Sequence, residues 1–491
     1  MTVTPPTLDV LALAPILIVL TTALAVLLAD LWLRDKQLLA YLALAGVVLA
    51  GLISLVMWSQ TPSSFHNMAV NDRMALFFNF IFLIVAGLGI LLAVDYLRAK
   101  GLQRGEYYAL LLFSTGGMMF LAAATDLIIV FLGLEIMSVS LYILVGFNRR
   151  QLASVEAAMK YFILGAFASA FFLYGVALTY GATGTTNLAQ AGSWLTRQAA
   201  AHDPVALVGL GLLLIGFAFK VAAVPFQWWT PDVYQGAPTS VTAFMSVGAK
   251  AAAFAALMRV LHSAFAGPTF TADWVNVTAV LALVTMSVGN LAALAQKDVK
   301  RMLAYSSIAH AGYLLVGLTA TAGSATGRPG VLFYLLSYAF MTVGAFTVAC
   351  AVERRDAFST SLADYAGLAQ RQPLWAAAMA VFMLSLTGIP PLVGFWGKLY
   401  VFRAAVEADM SWLAIAGVIN SAISAFYYLG VVVHMYMHRL PAKAEAAPAD
   451  PEPTPGLAGT RTGVVLGVAA LATLVFGIWP GVLAELVRHI P

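Results

Sequence analysis

The sequence predicts an all-α polytopic membrane protein with about 14 transmembrane helices. They are arranged as two inverted five-helix repeats, spans 4–8 and 9–13, with broken helices 7 and 12. Three observations predict this. Of 491 residues, 62% are hydrophobic and 10% charged, with a mean hydropathy of +0.89; in soluble globular chains roughly 25% of residues are charged. Apolar runs of about 20 residues, enough to cross a hydrocarbon core about 30 Å thick, recur along the whole chain. Two of these runs, five spans apart, are interrupted by proline and glycine in a comparable way.

The runs fall at 8–33, 37–59, 74–97, 106–124, 126–147, 155–180, 204–229, 239–263, 273–296, 301–320, 329–352, 372–407, 411–438 and 462–488. The first is too long for a signal-peptide core and no small-residue cleavage pattern follows it, so it is expected to be retained. The seventh reads "FKVAAVPFQWW", with Pro225 five residues after Lys220. The twelfth contains "SLTGIPPLVGFWGK", with Gly388, Pro390, Pro391 and Gly394 shortly before Lys398. Proline removes a backbone donor and clashes with the preceding turn, so both should be broken helices. Five is odd, so a second copy of a five-helix unit would be inverted in the membrane. Irregular backbone at that depth is tolerated where protein or a wet cavity satisfies it, which suits an ion-translocating fold.

The expected organisation is three N-terminal spans in 1–100, a first repeat in 106–263 and a second in 273–438. An inward linker at 441–461 includes the Ala-, Pro- and charge-rich "PAKAEAAPADPEPTPG", and 462–491 forms the last span. An even number of spans puts both termini on one side. With that side outside, 16 of the 26 Lys and Arg fall on the inward side and five on the outward side, as the positive-inside rule requires. The expected location is a bacterial inner (plasma) membrane, with both termini periplasmic. The remaining five, Lys160, Lys220, Lys250, Arg259 and Lys398, fall within spans.

Glu135 is nine residues from Asp126 and fourteen from Arg149, roughly 14 and 21 Å along a helix. Lys250 lies about 17 Å from Thr239 by the same measure, and His310 is nine residues into the tenth run. Several ionisable groups thus share a depth near mid-membrane. They could be structural ion pairs that lock helices together. However, each charge costs about 2.5–3.5 kcal/mol at a helix centre, and lysines outnumber the one deeply placed carboxylate. Burial disfavours a charged lysine and a nearby carboxylate restores it, so a lysine with a variable partner can carry protons. Glu135 is the expected partner of Lys220.

Glu156 and Lys160 share a helix face at i, i+4. They read either as a local interfacial pair or as a feed to a relay. Arg259, near the outer end of its span, is expected to snorkel. His434 and His438 have metal-compatible spacing but no further ligands on their face, and read as inward-side polar residues. Trp228 and Trp229 read as packing at the break rather than an interfacial belt. The single cysteine, Cys350, excludes a disulfide framework, a Cys-based zinc site and iron–sulfur ligation within the chain.

"FLGLEIMSVSLYILVGF", "EAAMKYFILGAFASAFFLYG", "GFAFKVAAVPFQWWTPDVYQGAPTSVTAFMSVGAKAAAFA", "QKDVKRMLAYSSIAHAGYLL" and "LSLTGIPPLVGFWGKLYVF" together resemble the antiporter-like membrane subunits of respiratory complex I, NADH-quinone oxidoreductase. The resemblance covers about residues 106–405. "YQGAPTSVTAFMSVGAKAA" is similar to the subunit N branch rather than to paralogues M and L, and the length leaves no room for the lateral helix of subunit L. The first three spans match only in hydropathy, and the linker is unusually long.

The resemblance implies a proton-translocating, non-redox subunit of a redox-driven pump. Glu135 and Lys220 look like the family's glutamate–lysine pair, Lys250 like its central lysine, and Lys398 like the lysine that opens to the outer side. Lys160 and His310 look like members of the connecting chain. No cofactor or metal is implied in this chain; FMN, iron–sulfur clusters and quinone are expected in partner subunits. The implied partners are the paralogous antiporter-like and small membrane subunits of complex I and the lipid bilayer, with no nucleic acid. A multisubunit sodium/proton antiporter subunit, which shares the fold, is the alternative; a structural scaffold is the third reading.

Overall fold

A computed structural model describes residues 10–60, 63–64, 67–197, 203–353, 361–438 and 459–490. Its membrane helices are α1 (Ala14–Asp30), α2 (Lys36–Val56), α3 (Arg73–Lys100), α4 (Gly105–Ala123), α5 (Leu127–Val145) and α6 (Leu152–Thr183). The short α7 (Leu188–Arg197) precedes α8 (Pro204–Val221), α9 (Trp229–Gly236), α10 (Thr239–Ser263), α11 (Pro268–Leu294), α12 (Val299–Ala320) and α13 (Gly327–Val352). Then follow α14 (Leu368–Arg371), α15 (Pro373–Thr387), α16 (Val393–Glu407), α17 (Ser411–Met437), α18 (Thr460–Ile478) and α19 (Pro480–Arg488). Among the described residues, thirteen helices are long and apolar enough to cross a membrane. The remaining expected crossing, the twelfth, is the pair α15 and α16.

Local chemistry sets many of the boundaries. Asp72, Asp126, Asp203 and Asp298 each accept a backbone N–H at the start of α3, α5, α8 and α12, satisfying donors that the first helical turn leaves free. The seventh run is helical only to Val221, and after a non-helical stretch the chain restarts as α9. The last run bends at Trp479 and Pro480, so its end is a separate short helix. Residues 441–458 of the expected linker, with basic residues Arg354, Arg355, Arg439 and Lys443, lie outside the described residues. Thr460 and Arg461 already belong to α18, where Asp95 accepts from the Thr462 N–H (3.0 Å) and from Arg461 (3.1 Å).

The core centres on α10, whose membrane window is wholly enclosed by other helices. Its sequence, "TSVTAFMSVGAKAAAFAALMRVLHS", is dominated by small residues, which let neighbouring backbones approach in lipid. The outward faces of α6 and α17 carry exposed Phe162, Phe167, Phe171, Ile415 and Phe426, as expected where the surrounding solvent is hydrocarbon.

Candidate proton-transfer site

Lys220, in the last turn of α8, is 4% exposed. Its ammonium donates to Ser138 Oγ (2.7 Å) and Tyr142 Oη (3.3 Å) on α5, and faces the rings of Tyr142, Tyr161 and Phe219. Glu135, one turn before Ser138, instead accepts from Ser169 Oγ of α6 at 2.5 Å. The expected Glu135–Lys220 contact is therefore absent in this conformation. The carboxylate faces α6, while the lysine bonds the hydroxyls of Ser138 and Tyr142 on the following turns of α5.

Lys250, 3% exposed in the middle of α10, donates to Ser307 Oγ of α12 (2.6 Å) and to the Ser307 carbonyl. Its ammonium lies 5.3 Å from the Tyr338 ring centre. His310, one turn beyond Ser307, bonds to Tyr334 Oη (2.6 Å) through Nδ1 and to Tyr428 Oη (3.0 Å) through Nε2; Tyr428 also bonds to Ser306. The rings of Tyr338 and Tyr313 pack on the imidazole. Tyr313 in turn lies 4.9 Å below the ammonium of Lys398. Lys398, 5% exposed, donates to the Thr387 carbonyl (2.7 Å) and Ser421 Oγ (2.8 Å).

Lys250, His310 and Lys398 thus form one row, joined by hydroxyls and tyrosine rings. Lys220 approaches it through packed rings: Tyr161 stacks on Trp229 at 4.5 Å, and Trp229 meets Tyr234 edge-on at 6.2 Å. Among the described residues, none of Lys220, Lys250 and Lys398 has a carboxylate within ion-pair distance. Gln227 Oε1 and Thr230 Oγ1, beside the first break, are buried without a protein partner; buried polar atoms of this kind are commonly met by water.

Lys160 is placed differently from the other lysines. Its side chain is 43% exposed and pairs with Glu156 and Asp232, each at 2.7 Å, with Arg301 on the other Asp232 oxygen. It is an ion-pair residue in an open pocket of about 330 Å³, not a deep one. Burial raises the Asp232 carboxyl, but hydrogen bonds from Lys160 and Arg301 outweigh this and hold it below the usual carboxylate range. Arg259 does not snorkel: it makes a bidentate bond with Asp72 (2.8 and 2.5 Å) and reaches the Ala122 carbonyl. A planar guanidinium gains more from that fork than from water. Trp229 packs at the break as expected, whereas Trp228 is 74% exposed.

Sequence reasoning passed over Tyr142, Ser307, Tyr338 and Tyr428, which supply most of the contacts. It also passed over Glu353, which reads as a loop charge but is buried and paired with Lys100 at 2.9 Å. Of these, only Ser307 carried a local signal, one helical turn before His310.

Residues 124–424 match the transmembrane family described as NADH:quinone oxidoreductase/Mrp antiporter. The chain is 51% identical over 432 residues to NADH-quinone oxidoreductase subunit N of Trichlorobacter lovleyi, covering 88% of each chain. The chain belongs to the NADH-quinone oxidoreductase subunit N family. Solved structures are similar too: a chain of respiratory complex I from Thermus thermophilus is 36% identical, with a TM-score of 0.80, covering 96% of this chain and 98% of that one. A chain of the Mrp complex from Dietzia shares the fold, with a TM-score of 0.82 at 24% identity and coverage of 98% and 95%. The subunit N family therefore shares its architecture with antiporter subunits. Fold alone does not separate the two; identity over the whole chain does.

Proposed function

We propose that this chain is the proton-translocating subunit N of a bacterial NADH:quinone oxidoreductase, moving protons through Lys220, Lys250, His310 and Lys398 while partner subunits reduce quinone. The observation that carries the reading is the row itself. Lys220, Lys250, His310 and Lys398 lie buried, each bonded to a hydroxyl that can both donate and accept a hydrogen bond. Ammonium groups without touching carboxylates in a low-dielectric interior cannot all stay charged, so charging one favours discharging its neighbour. That is how a row of fixed groups passes a charge along.

In this reading Lys160, with Glu156 and Asp232, collects protons at the inward surface. Lys220 is loaded from inside at the first break, where Gln227 and Thr230 favour water, and Glu135 biases its charge. Lys250 and His310 carry the proton across, and Lys398 releases it beside the second break to the periplasmic side, where both termini lie. Spans 4–8 and 9–13 act as two inverted units. Flavin, iron–sulfur clusters and quinone belong to the partners, a division consistent with a single cysteine in this chain.

Lys220→Ala and Glu135→Ala are expected to assemble into the complex, yet abolish or sharply cut proton pumping coupled to quinone reduction. Normal stoichiometry in both variants would refute the reading. Mass spectrometry of the detergent-purified complex is expected to find flavin and iron–sulfur subunits; small antiporter subunits in their place would assign the chain to a sodium/proton antiporter.

A further inference from the structure

Two carboxamides stand between the row and a surface pocket. The pocket, about 440 Å³, opens where α11 turns into α12 and is lined in part by Leu294, Lys297, Tyr427, Gly430, Val433 and His434. From it, the Tyr427 hydroxyl donates to Asn290 Oδ1 at 2.9 Å. Asn290, fully buried in α11, donates from Nδ2 to the Met286 carbonyl (2.8 Å) and to Tyr313 Oη (2.9 Å), with Asn420 Oδ1 at 3.3 Å. A carbonyl can only accept, which fixes the orientation of this amide: nitrogen toward Met286 and Tyr313, oxygen toward Tyr427. Asn420 in α17 donates onward to the Ala416 carbonyl (3.0 Å) and Ser287 Oγ (3.2 Å). The residue after it, Ser421, holds the Lys398 ammonium, and Tyr313 lies beneath the same ammonium. The polar groups between the pocket and Lys398 are thus Tyr427, then Asn290, then either Tyr313, whose ring faces the ammonium, or Asn420, the neighbour in sequence of Ser421.

We propose that Asn290 and Asn420 form a non-titrating seal that closes this direct route between the pocket and Lys398. A hydroxyl, imidazole or amine passes a proton by accepting on one lone pair and releasing elsewhere. A carboxamide keeps both protons on nitrogen and does not ionise near neutral pH, so a proton wire stops where it meets one. The amides keep the polar contacts that join α11, α12 and α17 without supplying a titratable step. The inference rests on the proposed function: if Lys398 releases protons outward, an open path from an inward pocket would bypass Lys220, Lys250 and His310, and the gradient would run down.

The test uses the assembled complex in proteoliposomes, following decay of the pH gradient after quinone reduction is stopped. Asn290→Asp replaces an amide by a titratable isostere and is expected to speed decay severalfold, with quinone reductase activity retained; Asn420→Asp alone, with Asn290 still in the path, is expected to leave decay slow. Asn290→Leu, which removes the polar step, is expected to hold the gradient as the unmodified complex does. Combining Asn290→Asp with Lys398→Met is expected to restore slow decay, because the leak runs through that lysine. Slow decay in an assembled Asn290→Asp variant overturns the seal, as does a leak that survives Lys398→Met. Should Asn290→Asp not assemble, Asn290→Ser carries the same expectation, since a hydroxyl also conducts. Failure of the proposed function has a separate signature, normal pumping by Lys220→Ala.

Discussion

After α8, Ala222 adopts the left-handed conformation at φ 61°; after α15, Gly388 does so at φ 94°. In both places the left-handed N–H bonds back three residues, Ala222 to the Phe219 carbonyl and Gly388 to the Ser385 carbonyl. The next N–H bonds back five, Ala223 to Ala218 (2.8 Å) and Ile389 to Leu384 (3.1 Å). These are two copies of a Schellman ending, and each is followed three residues after the left-handed position by a cis proline, Pro225 and Pro391. The backbone device is the same and the charges differ. Ten residues past Ala222 stands Asp232, tied to Lys160 and Arg301; ten residues past Gly388 stands Lys398, buried against the Thr387 carbonyl. The lysine of the first break instead precedes it and hangs on α5 hydroxyls.

The difference separates what a broken helix provides from what its charges do. The break supplies free carbonyls and room for water; side-chain placement decides whether that room serves a buried cation or a surface ion-pair cluster. Lys398 is clipped to its own break, so it moves with α15. Lys220 is clipped to the helix that carries Glu135, so a shift of α5 changes its partners.

Gly388→Ala should have the largest effect. Alanine is strained at φ 94°, and its Cβ would come within 3.0 Å of Lys398 Cδ; the expected cost is of order 1–3 kcal/mol, read as a lower thermal midpoint together with slower pumping. An unchanged midpoint would mean that the second break relaxes freely, unlike the clipped site described above. Asp232→Asn comes next, with a loss of about 1 kcal/mol or less, because the cluster is partly exposed. The depressed Asp232 carboxyl adds stability above the ordinary carboxylate range near pH 4, and this is lost as pH falls through its lower folded value. The variant should lack that acid-side dependence in a pH series of thermal midpoints. If it lost pumping as completely as a Lys398 variant, the two positions would be functional equivalents and the contrast would fail. The smallest effect has the opposite sign: Ala222→Gly should raise the midpoint, by about 1 kcal/mol or less, since glycine fits the left-handed region without a Cβ penalty.

Spans and breaks were legible in the sequence because hydropathy and proline act locally. So were Lys220, Lys250 and Lys398, each a charge inside an apolar run, whereas Lys300, which is also buried, was counted with the inward loops. Their partners were not. Ser307 and Tyr428 look like ordinary small or aromatic core residues until α10, α12 and α17 bring them to Lys250 and His310. Arg259 finds Asp72 from a distant part of the chain, and Lys160 lies on a face open to a pocket; no local window contains either fact. Glu135 was expected to meet Lys220, but which way its carboxylate faces is set by Ser169 on another helix.

The central claim is that the buried row conducts protons, and Lys250 lies in its middle on an unbroken helix. The direct measurement is the proton-to-electron ratio of the assembled complex carrying Lys250→Met, in proteoliposomes with NADH and a quinone. The account predicts a complex of normal subunit composition whose ratio falls clearly below that of the unmodified complex. An unchanged ratio with intact assembly would contradict it.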